Sequence, residues 1–157
     1  MVVLEEQQQN LQTMVEKMSS QPKTLGRTVR NVLLKAQTER RTIVGVSEAV
    51  KTLSAAPEDT LFCFLAPPSI GDSATHMQEV LLQAFCFEND IYIIKVDSSE
   101  KLSRILGANT LESCALVQKA WTHQEEEVLT SAEENLVDHC EVHWDDPKQP
   151  IVRLPEL

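Results

Sequence analysis

The chain has 157 residues, 42% hydrophobic and 24% charged, which suits one globular domain with a core of its own. No run approaches the roughly 18 apolar residues of a membrane span, and Met1 to Ser20 lacks the basic-then-apolar layout of a secretory signal, so an intracellular chain off the membrane is expected. The net charge of −10 is uneven, with nine acids and no Lys or Arg between Ala120 and Pro147, a field that repels phosphate backbones and anionic lipid and attracts basic protein surfaces.

Residues 1–23 are rich in glutamine. Leu4, Leu11 and Met18 lie seven apart, but the positions between them are too polar for a coiled coil, so a mobile tail or a loose helix is expected. Residues 24–157 read as a single α/β domain. Val29, Val32, Leu33 and Ala36 recur at the spacing of one helix face, which predicts a first helix ending near Thr38. "TIVGV" (42–46) is a short β-branched strand, and "SEAVKTLSAA" (47–56) a helix with Ser47 as its N-cap and Pro57 as its stop. "TLFCFLA" (60–66) lacks polar–apolar alternation, as a strand covered on both faces does. The loop "PPSIGDS" (67–73) leads to a long helix from about Ala74 to Glu88, and "IYIIKV" (91–96) is a third strand. "SSEKLSRILG" (98–107) is a helix with a serine cap and a terminal glycine, and "CALVQ" (114–118) a fourth strand. A last helix over 125–140 and a final strand, "IVRL" (151–154), complete the chain. Strands alternating with helices, joined by connections of varied length, predict a three-layer α-β-α sandwich around a mixed, mostly buried central sheet of about five strands.

No constellation of reactive groups accompanies this pattern. GxGxxG and GxxxxGK[ST] are absent, so a nucleotide cofactor has no support, and "GVSEA" (45–49) lacks the second glycine of a nucleophile elbow. "HCEVH" (139–143) sets His139 and His143 one helical turn apart around Cys140. Its Glu is misplaced for a zinc protease and no second ligand cluster follows, so a surface helix end is expected there. Cys86 lies between Phe85 and Phe87, an apolar setting that keeps a thiol protonated and inert. With no CxxC pair, the four cysteines are expected as buried free thiols. Neither catalysis nor a cofactor or metal is expected.

One element raises a different possibility. "GVSEAVK" (45–51) puts Glu48 and Lys51 at the start of a helix directly after a strand, and resembles the G-x-N-E-x-x-K element with which kink-turn-binding ribosomal proteins read RNA, Ser47 replacing the asparagine. An RNA-binding module using Glu48 and Lys51 is the alternative reading. The cations near it are only Lys35, Arg40, Arg41 and Lys51, and RNA binders present a basic face, so nucleic acid is not expected as a partner.

The long helix is apolar on more than one side. Met77, Val80, Ala84 and Phe87 form one stripe, suited to rest on a sheet; Leu81 and Phe85, extended by Leu82 and Gln78, form a neighbouring one. A surface helix needs one apolar arc, so the second stripe is expected to meet another chain or another helix of the same chain.

"LLQAFCFENDIYIIKV" (81–96) resembles the hallmark segment of the growth arrest and DNA damage-inducible protein family, L-[IL]-Q-A-F-C-x-E-N-D-I. "RTIVGVSEAVKTL" is similar to that family's R-T-I-x-V-G-V-x-E-A-x-K-x-L less one residue, and "PEDTLFCFLA" and "IVRLPEL" fall where its members have P-D-x-V-x-L-C-L-L-A and V-I-x-L-P-E. The likeness spans roughly residues 24–157 and is strongest over 40–96.

The resemblance implies the fold of the kink-turn-binding ribosomal proteins and a non-enzymatic stress-response regulator of nucleus and cytoplasm. It also implies docking onto a MAP kinase kinase kinase whose autoinhibition it relieves, and contacts with the replication sliding clamp and with cyclin-dependent kinase complexes and their inhibitor. Self-association as a homodimer would pack the second and third helices, with Gln78, Leu81, Leu82, Phe85, Val46 and Val50 in the interface. Family members carry a dense acidic loop after the second strand, whereas Asp72 is the only acid of "APPSIGDSA". Acidic partner-binding positions are therefore expected at Glu48, Asp72, Glu125, Glu126, Glu127, Glu133 and Glu134.

Overall fold

A computed structural model of the protein describes residues 21–67, 73–121 and 127–156, the side chains of 21–24 excepted. The first helix, α1 (Gln21–Thr38), buries Val29, Val32, Leu33 and Ala36, the residues whose spacing predicts it. It starts before the expected Thr24. Pro22 is tolerated in the first turn, where backbone N–H groups have no helical acceptor. Gln21, Pro22 and Lys23 thus belong to the helix and not to the tail; residues 1–20 lie outside the described residues.

The remaining elements are β1 (Thr42–Val44), α2 (Val46–Ala55), a 3₁₀ turn (Pro57–Asp59), β2 (Thr60–Leu65), α3 (Ser73–Glu88), β3 (Tyr92–Val96) and α4 (Ser99–Leu106). They are followed by β4 (Cys114–Gln118), β5 (Ala120–Trp121), β6 (Glu127–Val128), α5 (Ser131–Val142) and β7 (Ile151–Val152). The main sheet runs β1-β4-β2-β3-β7; β4 is antiparallel to both its neighbours, while β2–β3 and β3–β7 are parallel. β5 and β6 form a separate antiparallel pair.

All six residues of β2 are buried, which is why that strand shows no alternation. Phe62, Phe64, Ile94, Ala115 and Val117 face a core shared with α1, α4 and α5. Cys63, Leu65, Ile93, Cys114 and Leu116 face the opposite core, shared with α2 and α3. The mixed five-stranded sheet between two helical layers is the predicted architecture.

Local signals account for several boundaries. Ser98 caps α4 by accepting from the Lys101 N–H, and Gly107 ends it in the left-handed region at φ 66°. Asp97 ties the C-terminus down: its carboxylate accepts from the Leu154 N–H (2.8 Å) and from Lys101 Nζ (3.0 Å). Burial alone would raise the Asp97 pKa, but these two donors hold it below its usual value.

Three expectations need correction. The N-cap of α2 is Gly45 at φ 98°, not Ser47, and it makes no side-chain cap. The last helix starts at Ser131, where Thr130 accepts from the Glu133 N–H, and Glu127 lies upstream in β6. The final strand pairs only over Ile151–Val152, although Leu154 is still buried.

Candidate functional site

α2 and α3 lie side by side on one face of the sheet. α2 buries Ala49 and Leu53, and α3 buries Glu79, Leu82 and Cys86. The expected arrangement of α3 is rotated. Met77, Val80, Ala84 and Phe87, expected against the sheet, are exposed, because the 79–82–86 face turns inward. Its charged member is satisfied by Ser113, whose hydroxyl donates to Glu79 Oε1 at 2.6 Å. A carboxylate on the inward face gave no apolar signal to find.

Cys86 reaches Cys63 of β2, and Cys63 also meets Cys114 of β4. Hydrogen bonding to Cys114, then to Cys86, and burial push the Cys63 thiol up, while the bond from Cys63 pulls Cys86 down. All four cysteines are free and buried, as read from the sequence.

Between α2 and α3 runs an apolar groove of about 250 Å³ lined by Val50, Leu53, Ser54, Gln78, Leu81, Leu82 and Phe85. Leu82, 4% exposed, belongs to the core beneath it, while Leu81 stands 66% exposed. Five of the six residues expected in a self-association interface therefore converge on one feature. The sixth, Val46, packs against the α2–α3 core and lines a separate cleft.

That cleft, of about 370 Å³, opens at the N-terminus of α2, where the RNA-reading element would lie. Its charged lining residues are Glu48 and Glu112, with no Lys or Arg. Glu48 and Lys51 are a solvent-exposed pair 3.6 Å apart. Arg41, one of the few cations nearby, is turned inward: it donates to the Gln118 carbonyl at 2.8 Å, bonds Glu39 at 2.6 Å and lies 3.6 Å from Glu133.

The acidic positions divide. Glu127 and Glu134 are exposed. Glu133 is 1% exposed, near Arg41 and in hydrogen bond with Thr130, so it is part of the fold and presents nothing to a partner. Asp72, Glu125 and Glu126 lie outside the described residues.

The helix end carrying His139 is not a surface feature either. His139 and Cys140 are buried, and burial followed by the charge of His143 lowers the His139 pKa. The two imidazole centroids are 4.9 Å apart, and His143 Nδ1 sits 2.6 Å from Asp146. Among the described residues no group of three His, Cys, Asp or Glu is disposed to hold a metal ion, and no helix is long and apolar enough to cross a membrane.

The fold and the two α2 features define a class. Residues 27–127 match the sequence model of the ribosomal protein L7Ae/L30e/S12e/Gadd45 family. A 15.5 kD RNA-binding protein of Giardia lamblia superimposes with a TM-score of 0.59 over 76% of this chain and 90% of its own, at 15% identity, which is a likeness of fold alone. The particular branch follows from curated relatives. GADD45 alpha of Cricetulus griseus is 33% identical over 150 residues, 85% of this chain and 89% of the relative. GADD45 gamma of Homo sapiens is 39% identical over 85 residues, 53% of this chain and 54% of its own length. The chain belongs to the growth arrest and DNA damage-inducible (GADD45) family.

Proposed function

We propose that this protein is a non-enzymatic stress- and DNA-damage-response adaptor of nucleus and cytoplasm that binds a MAP kinase kinase kinase and releases it from autoinhibition. Binding alone activates a kinase only if the open conformation is held more tightly than the closed one, and no chemistry on the adaptor is required. The sliding clamp and cyclin-dependent kinase complexes are further partners in this reading. The working form is a homodimer joined through the α2–α3 groove.

The observation that carries the proposal is Leu81, two-thirds exposed beside an apolar groove floored by Leu82. An apolar groove walled by two helices fits a pair of helices from a second copy. The RNA alternative has no matching support, since the cleft at the α2 N-terminus is lined by carboxylates that repel phosphate.

The test is reconstitution. An autoinhibited MAP kinase kinase kinase, mixed with the wild-type chain, gains activity saturably, and Leu81→Glu loses that gain while remaining folded. A kinase that neither binds nor responds to the wild-type chain refutes the activation reading, whatever the oligomeric state.

A further inference from the structure

The flank of α3 away from α2 carries a second surface, separate from the groove. Met77, Val80, Ala84 and Phe87 follow one another along it, and Met77, Val80 and Phe87 are 67, 50 and 51% exposed. The stripe runs over eleven residues, from Met77 to Phe87, about 15 Å along the helix axis. At its C-terminal end the Phe87 ring stacks on Trp144, centroids 5.0 Å apart and planes inclined by 14°. Tyr92 meets the same indole edge-on at 6.0 Å. Trp144 stands just past the end of α5, so the aromatic group joins the two helical layers around one end of the sheet. Large rings fixed by one another present apolar area without the entropy cost of ordering flexible chains.

Carboxylates frame these rings. Glu88 follows Phe87, Asp90 lies two residues before Tyr92, and Asp145 and Asp146 follow Trp144; all are exposed. Glu141 accepts from the Tyr92 hydroxyl at 2.9 Å. Within 87–92 and 141–148 the basic residues are Lys148 and His143, the latter facing Asp146.

We propose that this acid-rimmed aromatic flank is a docking surface for a basic amphipathic helix of a partner protein. Its apolar face rests on Met77, Val80, Ala84, Phe87 and Trp144, and its Lys and Arg side chains meet Glu88, Asp90, Asp145 and Asp146. Charge decides against the other occupants. A second copy would bring the same carboxylates face to face with their equals. Residues 1–20 of this chain carry Glu5, Glu6, Glu16 and a single Lys at position 17, also the wrong sign. The rim repels nucleic acid and anionic lipid alike.

The test uses the full chain with Trp121→Phe, which leaves Trp144 as the sole tryptophan. It is titrated with a synthetic Leu–Lys amphipathic helix and with its Leu–Glu counterpart. The expected result is a saturable change in Trp144 emission with the Leu–Lys peptide, weakening several-fold between about 50 and 300 mM salt, and none with Leu–Glu. Phe87→Ala, and separately the exposed double reversal Glu88→Lys/Asp145→Lys, each weaken binding about tenfold. No saturable response, an equal response to Leu–Glu, or indifference to the reversal overturns the proposal. So does loss of self-association in Phe87→Ala by sedimentation, which assigns the flank to a second copy. A chain lacking residues 1–20 that binds the peptide more tightly assigns the flank to that segment and overturns the proposal equally. Leu81→Glu leaves the titration unchanged, so this inference and the proposed function fail separately.

Discussion

Replacing Leu81 tests the groove where folding and association separate most cleanly. Full burial of a leucine side chain is worth about 1.5–3 kcal/mol. Two-thirds of Leu81 remains open to water in the single chain, so closing the groove with a second copy recovers about 1–2 kcal/mol per side chain. In a symmetric pair the residue counts twice, giving about 2–4 kcal/mol, or about 30- to 1000-fold in the dissociation constant for Leu81→Ala. Glu at this position adds the cost of desolvating two carboxylates and abolishes association at micromolar concentration. Folding is spared, because the substituted side chain points into solvent in the monomer, and the thermal midpoint stays within a few degrees of wild type. Leu82→Ala is the counterpart: at 4% exposure it loses about 2–5 kcal/mol of stability. Sedimentation equilibrium reads the first effect and denaturant unfolding the second. A dimer of unchanged strength in Leu81→Glu refutes the assignment of the groove.

Three further outcomes follow from the fold. In Gly26→Ala the new Cβ falls inside van der Waals contact of the Arg153 carbonyl oxygen, so α1 and the segment after β7 must separate, and urea unfolding shows a loss of about 1–3 kcal/mol. Arg41→Met leaves Glu133 buried without its cation and the Gln118 carbonyl without its donor; a loss of about 3 kcal/mol is expected, partly restored by adding Glu133→Gln. His139 has a pKa lowered by burial and by His143, so the unfolded chain takes up a proton first as pH falls. Its contribution to stability is therefore complete above about pH 6.5 and is lost as pH falls from there through the lower folded value, a decline that His139→Gln flattens in denaturation curves taken from pH 7.5 to 5.5.

The architecture was legible because burial writes itself into composition. Strands covered on both faces, such as β2, read as unbroken apolar runs, and Ser98 and Gly107 marked α4 by local chemistry alone. The rotation of α3 was not legible. Periodicity assigns apolar residues to the inside, and this helix turns a carboxylate inward while Met77, Val80, Leu81 and Phe87 face out. Ser113, 34 residues away, bonds the buried Glu79 carboxylate, and no local pattern carries that information. Glu133 misled for a related reason: its neighbour Glu134 is exposed, and the thing that separates them is Arg41, far upstream.

That inversion bears on function more than any motif does. A helix that served only the stability of its own chain would bury Met77 or Leu81 and expose Glu79, since each exposed apolar side chain forgoes burial energy and a buried carboxylate must be compensated. α3 does the reverse along both its flanks, in a chain whose net charge of −10 opposes the approach of any other anionic surface. Apolar contact supplies the attraction and charge selects what is allowed to approach. On the groove side the exposed residues, Val50, Ser54, Gln78 and Leu81, are uncharged, so a second copy as proposed would meet them without opposing carboxylates. On the outer flank Glu88, Asp90, Asp145 and Asp146 exclude a copy and admit a cationic helix. One helix therefore offers two surfaces of different selectivity, and occupation of one leaves the other open.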